Sequence, residues 1–197
     1  MVSRKRTQSS DIESLVLTSS LQLLESKGVE ALTVREIAKH AGVAPMGIYN
    51  HFAGKLDVID ALVRQGHVQF AEALSTPVAG SPPEARLIDS GNAYRRFAHD
   101  HPRLYELMFM HSIPRYVPSL ETAQAMGRSI QVLIADIELL QSQQEIRDGD
   151  SLSIAQQVWS VVHGYVSLEL FTLNFSSTPD ETYGRLLEDM IEGLRPR

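Results

Sequence analysis

The sequence predicts an all-α protein of about nine helices, in which a small N-terminal head precedes a larger helical body. Apolar residues recur at helical spacing along nearly the whole chain. Helix-start signals precede several of these runs, and neither strand-like alternation nor an internal repeat stands out. We therefore expect two parts, a helix-turn-helix head at residues 1–56 and a body at residues 57–197.

The first two helices follow from local signals. One apolar face marks the first helix, formed by Ile12, Leu15, Val16 and Leu23. This helix is expected to end near Gly28. Thr33 and Glu36 then form a capping box, and Leu32 with Ile37 supplies the hydrophobic staple around it. The second helix is therefore expected from residue 33 to about residue 40.

The third helix is short. Gly42 allows a sharp turn, and Pro45 suits the first helical position. We expect this helix to reach about Asn50.

The remaining helical patterns are longer. They are expected at residues 55–74, 84–100, 103–110, 119–142, 152–174 and 179–194. Two proline-containing loops, 75–83 and 111–119, interrupt them. The last helix is expected to begin with a second capping box, Thr178-Pro179-Asp180-Glu181.

Composition limits the function classes. The chain has no cysteine, which excludes disulfides and thiolate chemistry and fits a reducing compartment. No apolar segment follows the basic N-terminus, and the most apolar stretch is a poor membrane span. We therefore expect a cytoplasmic protein with no membrane partner.

The net charge of −6 is distributed unevenly along the chain, since residues 1–56 carry +2 and the remaining residues −8. This distribution suits contact with a polyanion at one end of the protein.

Two short helices joined by a glycine-containing turn form a helix-turn-helix, whose second helix can enter the DNA major groove. Small or apolar residues stand at the tip of that helix, where it would approach bases, namely Ala44, Pro45, Met46 and Gly47. Hydrogen-bond donors for phosphates flank it, namely Tyr49, His51 and Lys55. Thr33 offers its hydroxyl and nearby backbone amides to another phosphate.

The stretch LTVREIAKHAGVAPMGIYNHFAGKLDVIDAL resembles the DNA-binding head of Tet repressor-like (TetR) regulators, and the likeness covers roughly residues 10–62. The capped helix, the Ala-Gly-Val turn and Tyr-x-His-Phe followed by lysine carry the resemblance. It implies phosphate contacts by Thr33, Tyr49, His51 and Lys55. It also implies a base-facing surface of Ala44, Pro45, Met46, Gly47 and Asn50. Many relatives carry serine or threonine where this chain has Ala44, so the resemblance does not imply which bases are read.

Some of these features have a second interpretation. Tyr49 could pack inside the head, as Phe52 is expected to do. The basic arm Arg4-Lys5-Arg6 could reach phosphates or the minor groove, or be a solvated tail. An architectural DNA-bending protein is another possible class, but it would not need a body of about 140 residues with its own aromatic set.

The sharpest feature of the body is the stretch QQVWSVVHGYVSLELF. Trp159 and His163 are four residues apart and share a helix face. Gly164 inside a helix suggests a close helix contact. The Trp-x-x-x-His-Gly pattern resembles the C-terminal domain of the TetR branch named for these three residues. That resemblance implies a body that binds a small effector and dimerises through its last two long helices.

Together the two resemblances predict a homodimeric transcriptional repressor that binds a palindromic operator and is released by a small-molecule effector. The candidate effector-binding residues are Tyr94, Phe97, Tyr105, Phe109, Tyr116, Trp159 and His163. The other interpretation of these side chains is ordinary core. The apolar face expected to pack on a second copy is formed by Leu186, Leu187, Met190, Ile191 and Leu194.

Other chemistries lack their motifs. His99, His101 and His111 suggest a metal site, but His99 and His101 stand at a helix end beside proline, and we expect no metal or other cofactor. The chain has no nucleophile elbow, phosphate loop or His-Glu-x-x-His sequence. His163 and Glu169 lie on roughly opposite sides of their helix and cannot pair within it. We therefore expect no catalytic residues.

Overall fold

The computed structural model describes residues 9–75, 82, 85–110 and 113–196, with side chains from residue 12 onward. These residues contain no strand, so the predicted all-α class is confirmed. Within this described part of the chain there are nine α-helices, with one short 3-10 helix (Val29–Ala31) after the first. They are α1 (Ser9–Lys27), α2 (Val34–Ala41), α3 (Pro45–Tyr49), α4 (Lys55–Ser75), α5 (Arg86–Asp100), α6 (Pro102–Phe109), α7 (Leu120–Ser142), α8 (Ser151–Leu170) and α9 (Pro179–Glu192). The arm Arg4-Lys5-Arg6, His111 and most of the 75–83 loop lie outside the described residues.

The chain forms two compact units. The first comprises Met1–Gly66 and Arg103–Ala123, and the second comprises His67–Pro102 and Gln124–Arg197. The first unit therefore holds the N-terminal helices together with α6 and the start of α7. Within the described residues, no helix combines the length and the apolar content needed to cross a membrane.

The core of the first unit is built by the N-terminal helices. Helix α1 packs on α2 and α3, and α2 packs on α3. The fully buried side chains include Leu23, Leu24, Leu32, Ile37, Ile48, Ile59 and Leu62. Leu32 and Ile37, the expected staple residues, are both 0% exposed. Burial of these apolar side chains fixes the orientation of the short helix α3.

Two predicted helix ends differ from the structure. Helix α8 ends at Leu170, because Thr172 adopts a left-handed φ of 56° and the Leu173 amide donates to the Leu168 carbonyl. That arrangement is a Schellman-type stop without glycine. At the start of α9, the Thr178 side chain makes no capping hydrogen bond, so the second capping box is wrong.

The second unit is built around α5, α7, α8 and α9. Its core cluster is Leu87, Ile134, Ile137, Leu140, Ile146, Ile154, Ala155, Val158 and Leu194, with Met190 and Ile191 packed against it. Leu187 is 0% exposed and lies against Gly91 of α5. The expectation that this α9 face is left for a second copy is therefore wrong for Leu187 and Leu194, because their own chain covers them.

Candidate nucleic-acid interface

Helix α3 is a five-residue helix with one buried anchor. Ala44 precedes it in an extended conformation and Pro45 occupies its first turn. Ile48 is 0% exposed, whereas Met46 is 68% and Tyr49 53% exposed. The second interpretation of Tyr49, packing inside the head, does not fit this exposure. A short helix held by one isoleucine thus presents a large thioether and a phenol to the outside.

Helix α2, which packs on α3, is capped at both ends. The Thr33 hydroxyl oxygen accepts a hydrogen bond from the Glu36 amide at 3.2 Å, which confirms half of the predicted capping box. The Thr33 amide donates to the Ala31 carbonyl instead of the Glu36 carboxylate. At the other end, Gly42 has a φ of 68°, a left-handed conformation that favours glycine. The Val43 amide closes this turn on the Ala38 carbonyl at 3.0 Å.

All nine predicted DNA-contacting residues belong to the first unit. Gly47, His51 and Lys55 are partly buried, and the remaining six are exposed, namely Thr33, Ala44, Pro45, Met46, Tyr49 and Asn50. The Lys55 ammonium lies 3.4 Å from the Val29 carbonyl oxygen and donates one hydrogen bond to it. An ammonium has three donors, so this bond positions Lys55 and leaves donors for a phosphate.

Sequence reasoning did not use the exposed cations of α2. Arg35 and Lys39 are four residues apart on this helix and both are exposed, as is His40. The helical spacing of Arg35 and Lys39 was the available signal. These side chains add positive charge to the surface that carries Thr33.

A polar network in the second unit joins three of the candidate effector residues. Tyr94 and His163 are linked by a hydrogen bond of 2.8 Å between the phenol oxygen and Nδ1. The Trp159 indole nitrogen donates to the same phenol oxygen at 3.3 Å. Burial lowers the pKa of His163, which favours a neutral imidazole whose Nδ1 accepts the phenol proton. The structure thus brings together the tryptophan and histidine of the body motif.

The other candidate effector residues divide between the two units. Phe97 lies in the second unit, where the centroid of its ring is 5.1 Å from the centroid of the Phe70 ring. Tyr105, Phe109 and Tyr116 belong to the first unit. Tyr105 is 0% exposed.

Gly164 and Glu169 show where sequence reasoning on α8 was incomplete. Apart from the two chain neighbours and the surrounding helix backbone, no described atom lies within 4 Å of a side chain built at Gly164. The expected close contact is therefore not made by the described residues. Glu169 does not pair with His163. Its carboxylate accepts from Arg95 through two hydrogen bonds of 2.8 Å and lies 3.2 Å from the His99 Nε2. Among the described residues, no group of three or more metal-binding side chains is present.

Comparisons with known proteins agree with this arrangement. The family model for bacterial regulatory proteins of the TetR family matches residues 16–62, and the model for the tetracycline repressor-like C-terminal domain matches residues 87–194. The chain belongs to the TetR family. It is therefore a transcriptional regulator with a DNA-binding helix-turn-helix, and proteins of this family bind DNA.

Individual relatives of this TetR family regulator cover almost its full length. An uncharacterized HTH-type transcriptional regulator of Mycobacterium tuberculosis is 22% identical over 186 residues, which are 92% of this chain and 81% of the relative. A protein of unknown function from Rhodococcus sp. RHA1 has a solved structure that matches with a TM-score of 0.86 at 24% identity, covering 100% of both chains. A TetR family regulatory protein from Rhodococcus RHA1 matches with a TM-score of 0.69 at 18% identity, over 94% of this chain and 98% of the other.

Proposed function

We propose that this TetR family regulator is a homodimeric repressor that binds a palindromic operator and leaves it when a small-molecule effector binds the body. The observation that carries the DNA-binding part is the exposure of Met46 and Tyr49 on a helix fixed by the buried Ile48. An exposed apolar side chain is removed from water when it packs against a base edge or a thymine methyl group in the major groove. The adjacent hydroxyl, imidazole and ammonium groups match phosphate oxygens.

In this proposal the nine residues divide between two kinds of contact. Thr33, Tyr49, His51 and Lys55 bind phosphates and set the register of the protein on the duplex. The bases are approached by Ala44, Pro45, Met46, Gly47 and Asn50. Two such helices in a dimer read consecutive major grooves when they lie about 34–36 Å apart, one turn of duplex. Operator symmetry then follows from the symmetry of the dimer.

Selection of bound duplexes from a random DNA pool tests the DNA-binding proposal. We expect one enriched palindrome. On that duplex, Lys55→Ala should lower affinity and flatten the dependence of log affinity on log salt by about one unit, since one phosphate contact is lost. Tyr49→Phe should lower the affinity for all duplexes by a similar factor, because a phosphate contact carries no sequence information.

Arg96→Ala is the matched control, since it removes one positive charge from an exposed position in the second unit. It should leave the salt slope unchanged. An unchanged slope for Lys55→Ala would remove that residue from the interface, and the absence of any enriched sequence would refute sequence-specific DNA binding.

The dimer proposal keeps the two C-terminal helices but moves the contact to the outer face of α8. Val161, Leu168 and Phe171 are 37%, 47% and 52% exposed in the single chain and recur at helical spacing. Gly164 lies between them on this face and has open space in front of it. A glycine costs roughly 1 kcal/mol inside a helix relative to alanine. In the dimer, the absence of a side chain at Gly164 would allow a helix of the second copy to approach α8 closely, which would offset this cost.

The effector proposal rests on the Tyr94–His163–Trp159 network. Aromatic rings around a few polar groups suit an apolar ligand that is oriented by a hydrogen bond. Release from DNA requires only that the effector favour the dimer state whose recognition helices do not fit consecutive grooves. An allosteric coupling free energy between two sites is typically about 1–3 kcal/mol.

Trp159 provides the test of the effector proposal, because it is the only tryptophan of the chain. A compound that releases the selected duplex should change the Trp159 fluorescence. His163→Ala should weaken the binding of that compound by roughly 1–3 kcal/mol if the substitution removes a buried hydrogen bond. Melting temperature, dimerisation and operator affinity without ligand are the controls. A large loss in any of them would identify His163 as a structural residue and contradict its assignment to the effector site.

A further inference from the structure

The outer face of α5 forms one wall of a polar cleft. The cleft has a volume of about 570 Å³, and α9 contributes one residue to it from its first turn. All six lining residues are polar or charged and belong to the second unit, namely Asp89, Asn92, Arg95, Arg96, His99 and Asp180. A cleft with this lining suits a ligand that is itself charged or strongly polar.

This face of α5 is opposite the one that carries the aromatic network. Tyr94 and Phe97 are 5% and 6% exposed. Asn92, Arg96 and His99 are exposed to solvent. At about 100° per residue, Arg96 lies roughly 200° around the helix from Tyr94. The cleft is therefore a second candidate site on α5 and not an extension of the first.

Arg95 is fixed in the wall of the cleft by several contacts. Its Nε and Nη2 donate to the two carboxylate oxygens of Glu169 at 2.8 Å, and Nη2 also donates to Asp180 at 2.7 Å. The guanidinium carbon lies 5.0 Å from the centroid of the Tyr183 ring, a cation–π contact. The remaining nitrogen, Nη1, makes no hydrogen bond to a described residue. A fixed guanidinium can donate from Nη1 to a ligand with little further loss of side-chain freedom.

Asp89 and Arg96 carry opposite charges and are not paired. Within the described part of the chain, neither side chain makes an ion pair or a hydrogen bond. The Oδ2 atom of Asp89 is buried, and a buried carboxylate oxygen without a donor is costly. Rotation about the soft χ2 of Asp89 can turn this oxygen to the cleft. The two residues lie on nearly the same side of α5, about 10 Å apart along its axis.

The charges around the cleft favour a ligand that carries both signs. Arg95 is balanced by Glu169 and Asp180. A simple anion would therefore meet three carboxylates, and a simple cation would leave Arg96 unpaired. We propose that the cleft binds a small zwitterion of the ω-amino-acid type, whose ammonium group pairs with Asp89 and whose carboxylate pairs with Arg96 and the Arg95 Nη1. The spacing of two helical turns favours a ligand whose charges are separated by a chain over an α-amino acid.

Isothermal titration calorimetry of the full-length protein with 6-aminohexanoate tests the site. Hexanoate and hexylamine are the matched probes, since each retains the chain and one of the two charges. The zwitterion should bind at least roughly tenfold more tightly than either, because each charge-assisted pair adds to the affinity. Glycine, whose charges are closer together, should bind more weakly. A dissociation constant above about 10 mM for 6-aminohexanoate, or a probe with one charge or glycine that binds as tightly, would overturn the proposal.

Two variants assign the two charges of the ligand. In Arg96→Ala, 6-aminohexanoate should lose roughly tenfold or more in affinity and bind about as weakly as hexylamine. In Asp89→Asn it should bind about as weakly as hexanoate, because each variant removes the partner of the charge that the analogue lacks. Arg185→Ala and Asp100→Asn are the matched controls, since they remove exposed charges of the same signs from the second unit outside the cleft. These controls should leave the affinity for 6-aminohexanoate unchanged.

The variants also distinguish this cleft from the aromatic network. Circular dichroism melting curves establish that each variant is folded. An unchanged affinity for 6-aminohexanoate in both Arg96→Ala and Asp89→Asn would place the ligand elsewhere and contradict the proposal. Loss of binding in His163→Ala alone would place the zwitterion at the aromatic network, with the same consequence.

Discussion

Glutamate in place of Leu187 is expected to unfold the second unit instead of separating a dimer. Leu187 is 0% exposed, and its methyl groups lie 2.8 and 3.1 Å from a side chain built at Gly91. Truncation of a buried leucine to alanine already costs about 2–5 kcal/mol. An unpaired buried carboxylate adds several kcal/mol to this cost. Since a domain of this size is stable by about 5–15 kcal/mol, the variant should lose most of its cooperative thermal transition.

Glutamates at Leu168 and Phe171 are expected to have the opposite result, a folded monomer. Both side chains are about half exposed in the single chain, so a charge there meets water when no second copy is present. Leu152→Glu is the matched control, since Leu152 is 56% exposed on the same helix but about 160° around it from Leu168. Sedimentation equilibrium gives the mass, and circular dichroism gives the melting temperature. A folded Leu187→Glu monomer, or a native protein that is monomeric at micromolar concentration, would contradict this assignment.

The local rules predicted the fold because each helix end in the N-terminal region depends on residues adjacent in the sequence. Thr33 caps the next turn, Gly42 has the left-handed backbone expected of it, and Pro45 begins α3. Tyr49, the last residue of α3, is 53% exposed, and Phe52, which follows the helix, is buried as the sequence predicted. Such signals act over three or four residues and can be read without knowledge of the fold.

The same reasoning failed where the partner of a side chain lies far along the chain. The apolar stripe of α9 was visible in the sequence, but periodicity cannot distinguish a face buried on α5 from one buried on a second copy. Glu25 gave no signal at all, because its partners are backbone amides 78 and 79 residues away. Thr172 is similar, since a β-branched residue is unfavourable in a left-handed conformation and does not predict a helix stop.

The second large effect concerns the buried imidazole of His67 on α4. His67 is 2% exposed, and its Nδ1 lies 3.2 Å from the Ser129 hydroxyl oxygen. Because that hydroxyl donates its own proton to the Met126 carbonyl at 2.7 Å, the oxygen accepts from the Nδ1 proton of a neutral imidazole. Burial lowers the pKa of His67 to about 4 from the ordinary 6.5. In the unfolded chain the imidazole takes up a proton below pH 6.5, while the folded protein resists protonation until about pH 4.

The stability of the second unit should therefore be complete above pH 6.5 and fall as the pH is lowered to about 4, with His67 contributing about 3 kcal/mol of the loss. Urea unfolding followed by Trp159 fluorescence reports this unit selectively, since the only tryptophan lies within it. His163 is partly buried and also has a lowered pKa, so it steepens the pH profile of every variant. The contrast between the native protein and His67→Gln is therefore decisive. His67→Gln should start from a lower stability at pH 7 yet lose about 3 kcal/mol less on acidification, whereas His40→Gln, at an exposed position of the first unit, should follow the native protein. Parallel profiles for native protein and His67→Gln would mean that the imidazole is protonated in the folded state or is solvated there, contrary to its burial.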